Sequence, residues 1–195
     1  MTQLFHRSAN TLTTLAMIGG GVAVVFVCIV LYMTTWSDYK TGVGLEVEQA
    51  VPFSHLHHVR GVGLDCRYCH GGVETSAFAG IPPTKTCMTC HSQLFVNAPM
   101  LKPVRDSYQN KTALPWKSVQ QLPDFVYFAH DIHVSRGVAC STCHGPVEQM
   151  PLMREQKAFY MKDCLECHRA PDRFISKREL RLNAGILTNC STCHR

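Results

Sequence analysis

The chain has 195 residues, 17% of them charged, a formal net charge of +5, eleven cysteines and eleven histidines. A chain of this length holds one domain or two small ones, and cysteine and histidine at this density point to metals, disulfides or haem. Lysine and arginine are dispersed, with no basic run. That excludes a polyanion-binding surface, so no nucleic-acid partner is expected.

In chain order, residues 1–10 form a short tail with Arg7 and His6, and residues 11–33, TLTTLAMIGGGVAVVFVCIVLYM, carry no charge. At about 1.5 Å per residue these 23 residues can cross a hydrocarbon core of about 30 Å, so 11–34 is expected to be a transmembrane anchor in the lipid bilayer. A cleaved signal peptide is the competing reading. The apolar run is too long for one, and TTWSDYKTG is a poor small-x-small cleavage site. Cys28 has no partner in spacing and reads as a thiol in apolar surroundings. Residues 35–52 read as a linker; the flanking Arg7, Asp38 and Lys40 say little about orientation.

The other ten cysteines form five C-x-x-C pairs, each followed directly by histidine: CRYCH (66–70), CMTCH (87–91), CSTCH (140–144), CLECH (164–168) and CSTCH (190–194). This pentad is the c-type haem attachment signature. Two thiols one helical turn apart can each form a thioether with a haem vinyl group, and the adjacent imidazole reaches the iron from the proximal face. The motifs predict five covalent c-type haems tethered by Cys66 and Cys69, Cys87 and Cys90, Cys140 and Cys143, Cys164 and Cys167, and Cys190 and Cys193. The proximal iron ligands are then His70, His91, His144, His168 and His194. Four-cysteine zinc, with 17 residues between Cys69 and Cys87, is the alternative, but neither zinc, a redox pair nor a disulfide requires histidine after every second cysteine. Haem attachment of this type takes place outside the cytoplasmic membrane, which places the N-terminus inside and the large region outside. The basic excess then balances about ten haem propionates.

FSHLHHVRGVGLDCRYCHG from Phe53 lines up with FAHDIHVSRGVACSTCHG from Phe128, both reading F-[SA]-H-x-x-H-V, then a Gly-Val step, then C-x-x-C-H-G. A second C-x-x-C-H follows in each copy, so 53–91 and 128–168 are two copies of a two-haem unit, with 169–195 carrying the fifth haem. Histidines three apart share a helix face and can serve two neighbouring irons. His55, His58, His130 and His133 are therefore candidate distal ligands for four irons. For the fifth, Met150 in CHGPVEQMPLM is the favoured candidate; a thioether there would raise the potential relative to bis-histidine ligation. His57, Met153, Met88, Met100 or an open position stay as alternatives. Residues 92–127, with four prolines and Trp116, read as an extended, irregular, haem-free segment that is either a linker or a partner contact.

About 31 residues of chain per haem is too little for a conventional core, so the porphyrins are expected to be the core. The predicted fold class is mainly α and irregular: one N-terminal transmembrane helix, then a haem-packed multihaem cytochrome c domain of short helices and long loops.

The F-S-H-x-x-H-V segment before the first haem resembles multihaem cytochromes related to the class III group. With the N-terminal anchor, CRYCHGGVETSAFAGIPPTKTCMTCHS, LPDFVYFAHDIHV and CHGPVEQMPLM, the chain resembles the pentahaem subunit of alternative complex III. The resemblance covers nearly all of the chain after residue 50. It implies a subunit of a quinol-oxidising complex in a bacterial respiratory or photosynthetic chain, non-catalytic itself, passing electrons toward a monohaem cytochrome or soluble periplasmic acceptor. Its implied partners are an iron–sulfur subunit and multi-span quinone-site subunits. The implied location is the bacterial cytoplasmic membrane, single-pass, with the haem domain on the periplasmic face. The chain ends one residue after His194, so an exposed fifth-haem edge, or one covered by another subunit, is expected. A stand-alone quinol dehydrogenase and a reductase with an open iron are the alternatives.

Overall fold

The computed structural model describes residues 5–175 and 183–194, so parts of the expected 1–10 and 169–195 segments lie outside the described residues. The chain divides into two units, Met1–Val43 and Gly44–Arg195. In the first, α1 (Ala9–Thr35) runs for 27 residues, about 40 Å at the α-helical rise, and none of its residues is buried. It is long and apolar enough to cross a membrane. A short α2 (Asp38–Thr41) closes on Gly42 in the left-handed region, φ 74°.

The second unit is built of short helices and loops: α3 (Cys66–Cys69), α4 (Thr84–His91), α5 (Lys102–Asn110), α6 (His130–Ser135), α7 (Cys140–His144), α8 (Met161–Arg169), α9 (Ala184–Leu187) and α10 (Cys190–Cys193). Among the described residues strand pairing is limited to two isolated bridges, Glu46 with Arg154 and Val126 with His194. The fold is mainly helical and irregular, as the sequence predicts. The buried apolar residues described are few: Val51, Val104, Met150 and Ile175.

The two copies of the repeat differ in one turn. His133 and Cys140 bracket six residues, His58 and Cys66 bracket seven, and the first copy takes up the extra residue as a wide π turn over Leu56–Gly61. There the Val62 N–H reaches the His57 carbonyl at 2.9 Å, five residues back. A one-residue insertion inside a helical turn takes this form, and such bulges concentrate at functional positions. Register recovers at once. The Leu64 N–H donates to the His58 carbonyl as the Val138 N–H does to that of His133, both at 3.1 Å. Gly63 (φ 85°) and Gly137 (φ 81°) hold the same left-handed position, so the structural partner of Gly137 is Gly63, not the Gly61 of the Gly-Val alignment.

The 92–127 segment is not irregular throughout. Its centre is the Pro99–Leu101 turn and α5, which packs on α4 with Val104 and Ser107 buried. Pro103 sits in the first turn, where no intrahelical N–H is required, so the proline that suggested a break starts a helix instead. Lys102 and Asp106 pair across one turn of its outer face. Thr84 Oγ1 and Ser107 Oγ, 2.6 Å apart, tie this helix to the start of α4. Trp116 lines a cavity of about 330 Å³ with Ile81, Pro82, Pro83 and Leu114.

Candidate haem sites

Each C-x-x-C-H stands on a single helical turn. Asp65 caps α3 by accepting from the Arg67 N–H at 2.8 Å, and Asn189 caps α10 by accepting from the Ser191 N–H at 3.2 Å. The capped turn sets both sulfurs on one side, and the histidine N–H returns to the first cysteine's carbonyl at 2.9 Å for both His70 and His194. The ten motif cysteines are free thiols, and burial is the largest cause raising the pKa of Cys66, Cys69, Cys87, Cys143, Cys164 and Cys167. Among the described residues no three histidine, cysteine or carboxylate side chains converge as a chelating cluster.

The imidazoles come together in pairs. Ring centroids of His58 and His91 lie 6.2 Å apart, those of His130 and His144 6.2 Å, and those of His133 and His168 6.1 Å. Two imidazoles bound end-on across one metal, at about 2 Å per metal–nitrogen bond, put their ring centroids about 6 Å apart. Each pair joins one H-x-x-H histidine to one C-x-x-C-H histidine. The fourth such histidine, His55, faces His70 electrostatically: its pKa is lowered to about 4, by burial first and then by the charges of His70 and His58. Neutral imidazole is the form that ligates.

Seven of these rings are held by a bond from Nδ1–H to a backbone carbonyl, since a carbonyl can only accept. The acceptors are Ser54 for His58 (2.8 Å), Gly80 for His70 (2.7 Å), Leu94 for His91 (3.2 Å), Ala77 for His130 (2.8 Å), Ala129 for His133 (2.8 Å), Leu187 for His168 (2.9 Å) and Phe125 for His194 (3.2 Å). This fixes the tautomer and leaves the Nε2 lone pair free, the usual outer-shell arrangement of a metal-ligating histidine. His55 Nδ1 is buried without a partner.

Two further sets of residues position the rings: the phenylalanine that opens each repeat copy, and a glycine outside the motifs. Phe53 stacks on His58 at 4.4 Å and 21° and meets His55 edge-on at 4.9 Å and 86°. Phe128 does the same to His133 (4.4 Å, 23°) and His130 (4.9 Å, 89°). The repeated phenylalanine was visible in sequence; its role as a plate beneath both ligands required the fold. Gly72 is the other. A Cβ there would meet the Phe78 and Ala79 carbonyl oxygens at 2.7 and 3.0 Å, so only glycine lets the 77–80 loop close down and present its carbonyls to His70 and His130.

The remaining candidates separate from these pairs. His57 is exposed and lies edge-on to His58 at 5.2 Å. Met150 is 1% exposed, and its carbonyl accepts from the Leu56 N–H at 3.0 Å, beside the first H-x-x-H turn. His194 meets the Phe125 ring at 5.8 Å, and no histidine pairs with it among the described residues. Large apolar side chains stand open beside the motifs, Tyr68, Phe78, Phe95 and Ile186 among them. Paired imidazoles, paired free thiols and bare apolar walls fit covalent haem.

Residues 126–195 match the family model of cytochrome c7 and related cytochrome c. That stretch is cytochrome c7-like. The chain is also similar to the "Menaquinone reductase, multiheme cytochrome c subunit" of Nitratidesulfovibrio vulgaris, 29% identical over 178 residues, covering 90% of this chain and 81% of that protein. Both resemblances are to cytochromes c, the class that the imidazole pairs and C-x-x-C-H turns fit.

Proposed function

We propose that this protein is a membrane-anchored pentahaem c-type cytochrome that relays electrons inside a membrane complex working on the quinone pool. The observation that carries the reading is the set of imidazole pairs 6.1 to 6.2 Å apart, each joining a repeat histidine to a C-x-x-C-H histidine. A filled sixth position makes a low-spin electron carrier and leaves no coordination site for substrate. The ten thiols tether five haems, and each haem, when bound, supplies one reversible one-electron step. The chain's own part is to fix the axial imidazoles by their Nδ1–H bonds to backbone carbonyls and to wall the sites with apolar side chains.

In this reading His55 and His70, His58 and His91, His130 and His144, and His133 and His168 are four axial pairs. His194 would hold the fifth iron, and no histidine faces it among the described residues. Met150 is enclosed by protein beside a turn whose two histidines already have partners, so we assign it to packing. α1 is the single-pass anchor, with the haem domain on the periplasmic face of a bacterial cytoplasmic membrane.

The complex we favour is a quinol-oxidising one of the alternative complex III type, with iron–sulfur, quinone-site and monohaem cytochrome subunits as partners. A quinol gives up two electrons and two protons at a partner subunit, and the electrons cross this chain singly. The name of the Nitratidesulfovibrio vulgaris relative favours a second direction, delivery of electrons to menaquinone. Near-infrared magnetic circular dichroism of the purified, haem-loaded full chain tests the reading. The expected spectrum counts four bis-histidine low-spin haems plus one of another class, and the isolated protein leaves a menaquinol analogue unoxidised. Catalytic quinol oxidation by the isolated chain overturns the relay in favour of a stand-alone dehydrogenase. Midpoint potentials below that of the menaquinone couple favour the second direction.

A further inference from the structure

We infer that the five sites are not strung in sequence order but run second, first, third, fourth, fifth, so that the His91 and His194 sites are the two terminal, partner-facing ones. This rests on the pentahaem relay proposed above.

Four junctions give the order. The second and first sites share the turn that presents His55 and His58, and the Tyr68 hydroxyl of CRYCH meets Thr89 Oγ1 of CMTCH at 3.0 Å. The first and third sites meet at a seam between the two repeat copies, 53–91 and 128–168. There the His130 backbone N–H and its Nδ1–H both donate to the Ala77 carbonyl, at 3.1 and 2.8 Å, and the Asp131 N–H donates to Ser76 O at 3.3 Å. α6 packs on the Gly71–Glu74 turn that follows His70. The third and fourth sites share the helix that presents His130 and His133. The fourth and fifth are joined by His168 Nδ1–H to Leu187 O at 2.9 Å, where α8 packs on α9 three residues before Cys190.

Among the described residues no hydrogen bond joins α4, which carries the second site, to the helices of the third, fourth or fifth. The two repeat copies thus meet front to front, each offering its first site to the other. The α5 segment lies between the copies in sequence and packs on α4, which carries the second site. One electron entering at one end leaves at the other. With haems held at these histidines, electrons would pass singly between neighbouring sites, with no bond made or broken.

The test uses the full-length, haem-loaded protein. Intact mass first counts covalent haems; fewer than five sinks the relay reading itself and this order with it. With five present, locating the irons by anomalous scattering decides the order. The expected nearest neighbour of the iron at Cys140 and Cys143, apart from that at Cys164 and Cys167, is the iron at Cys66 and Cys69. Finding the iron at Cys87 and Cys90 there overturns the inference and leaves the relay standing. In solution, His58→Gly and His55→Gly each create one high-spin marker. Marking the second site is expected to broaden one low-spin EPR signal and marking the first to broaden two. The reverse counts belong to sequence order and refute the proposal.

Discussion

The rings of the three close imidazole pairs differ in twist, and if they are axial pairs, as proposed, that difference has a spectroscopic consequence. His58 and His91 are inclined at 69°, whereas His130 and His144 are at 6° and His133 and His168 at 20°. Near-perpendicular imidazole planes leave the iron orbitals close in energy and give a strongly anisotropic low-spin EPR signal, while near-parallel planes give a rhombic one. The second site is expected to show the anisotropic type and the third and fourth the rhombic type. The assignment is checked by losing the anisotropic signal in His58→Gly; its survival there would refute the pairing. The twist is set by what holds each ring, and Phe128 is part of that hold for His133. An aromatic stack of this kind is worth about 1 kcal/mol, or roughly a fivefold effect on an equilibrium. Phe128→Leu is therefore expected to keep all haems but to speed carbon monoxide capture by the reduced fourth site about fivefold, measured by flash photolysis. Unchanged capture would make Phe128 a bystander.

At the level of elements, the 71–80 turn and loop serve two sites at once. Its Gly80 carbonyl orients His70 and its Ala77 carbonyl orients His130 across the repeat seam. Gly72→Ala must push this loop outward, because the new Cβ meets backbone oxygen at 2.7 Å. Losing the two bonds costs about 1 kcal/mol each. The expected outcome is that the first and third sites shift in potential together while the fourth does not, read by redox titration; a shift confined to the first site would break the link. These elements also mark how far the sequence could be read. The short helices and the N-terminal apolar helix were legible because each is a local spacing with a local chemical reason. The wide turn at Leu56–Gly61 is equally local, but one extra residue can be absorbed in several ways, and only the backbone shows which. The helix Lys102–Asn110 was masked by Pro103, which reads as a breaker unless its place in the first turn is known. Met150 follows a haem motif in sequence, and the fold sets its backbone against Leu56 of the other repeat copy, a placement that no local spacing announces. The Ala77 seam pairs residues 53 apart and leaves no trace in any window of sequence.

Over the whole molecule, the protein cannot account for its own stability. Its accessible surface is 14684 Å², whereas a compact chain of 21.8 kDa exposes about 9,300 Å². Part of the excess is the apolar surface of α1; part is the bare lining of the motif turns, where Phe78 is 83% exposed and Phe95 66%. Four buried apolar residues among those described offset little of the backbone entropy lost on ordering the second unit, at about 1 to 2 kcal/mol per residue. Haems tethered at the motif turns, as proposed, would supply the missing buried area, and the histidines that would hold them come from turns distant in sequence. Folding and cofactor attachment should then be one event. A chain with its ten motif cysteines changed to serine is expected to show no slowly exchanging amides over residues 44–194 in detergent, while α1 stays protected in the micelle. Hydrogen–deuterium exchange with peptide-level mass analysis reads both regions in one sample, so α1 serves as its own control. The α4–α5 contact, with Val104 buried and Thr84 bonded to Ser107, is the place where residual protection would appear first. Protection there equal to that of the haem-loaded protein would mean that this contact folds without the cofactor, and the coupling argued here would not hold.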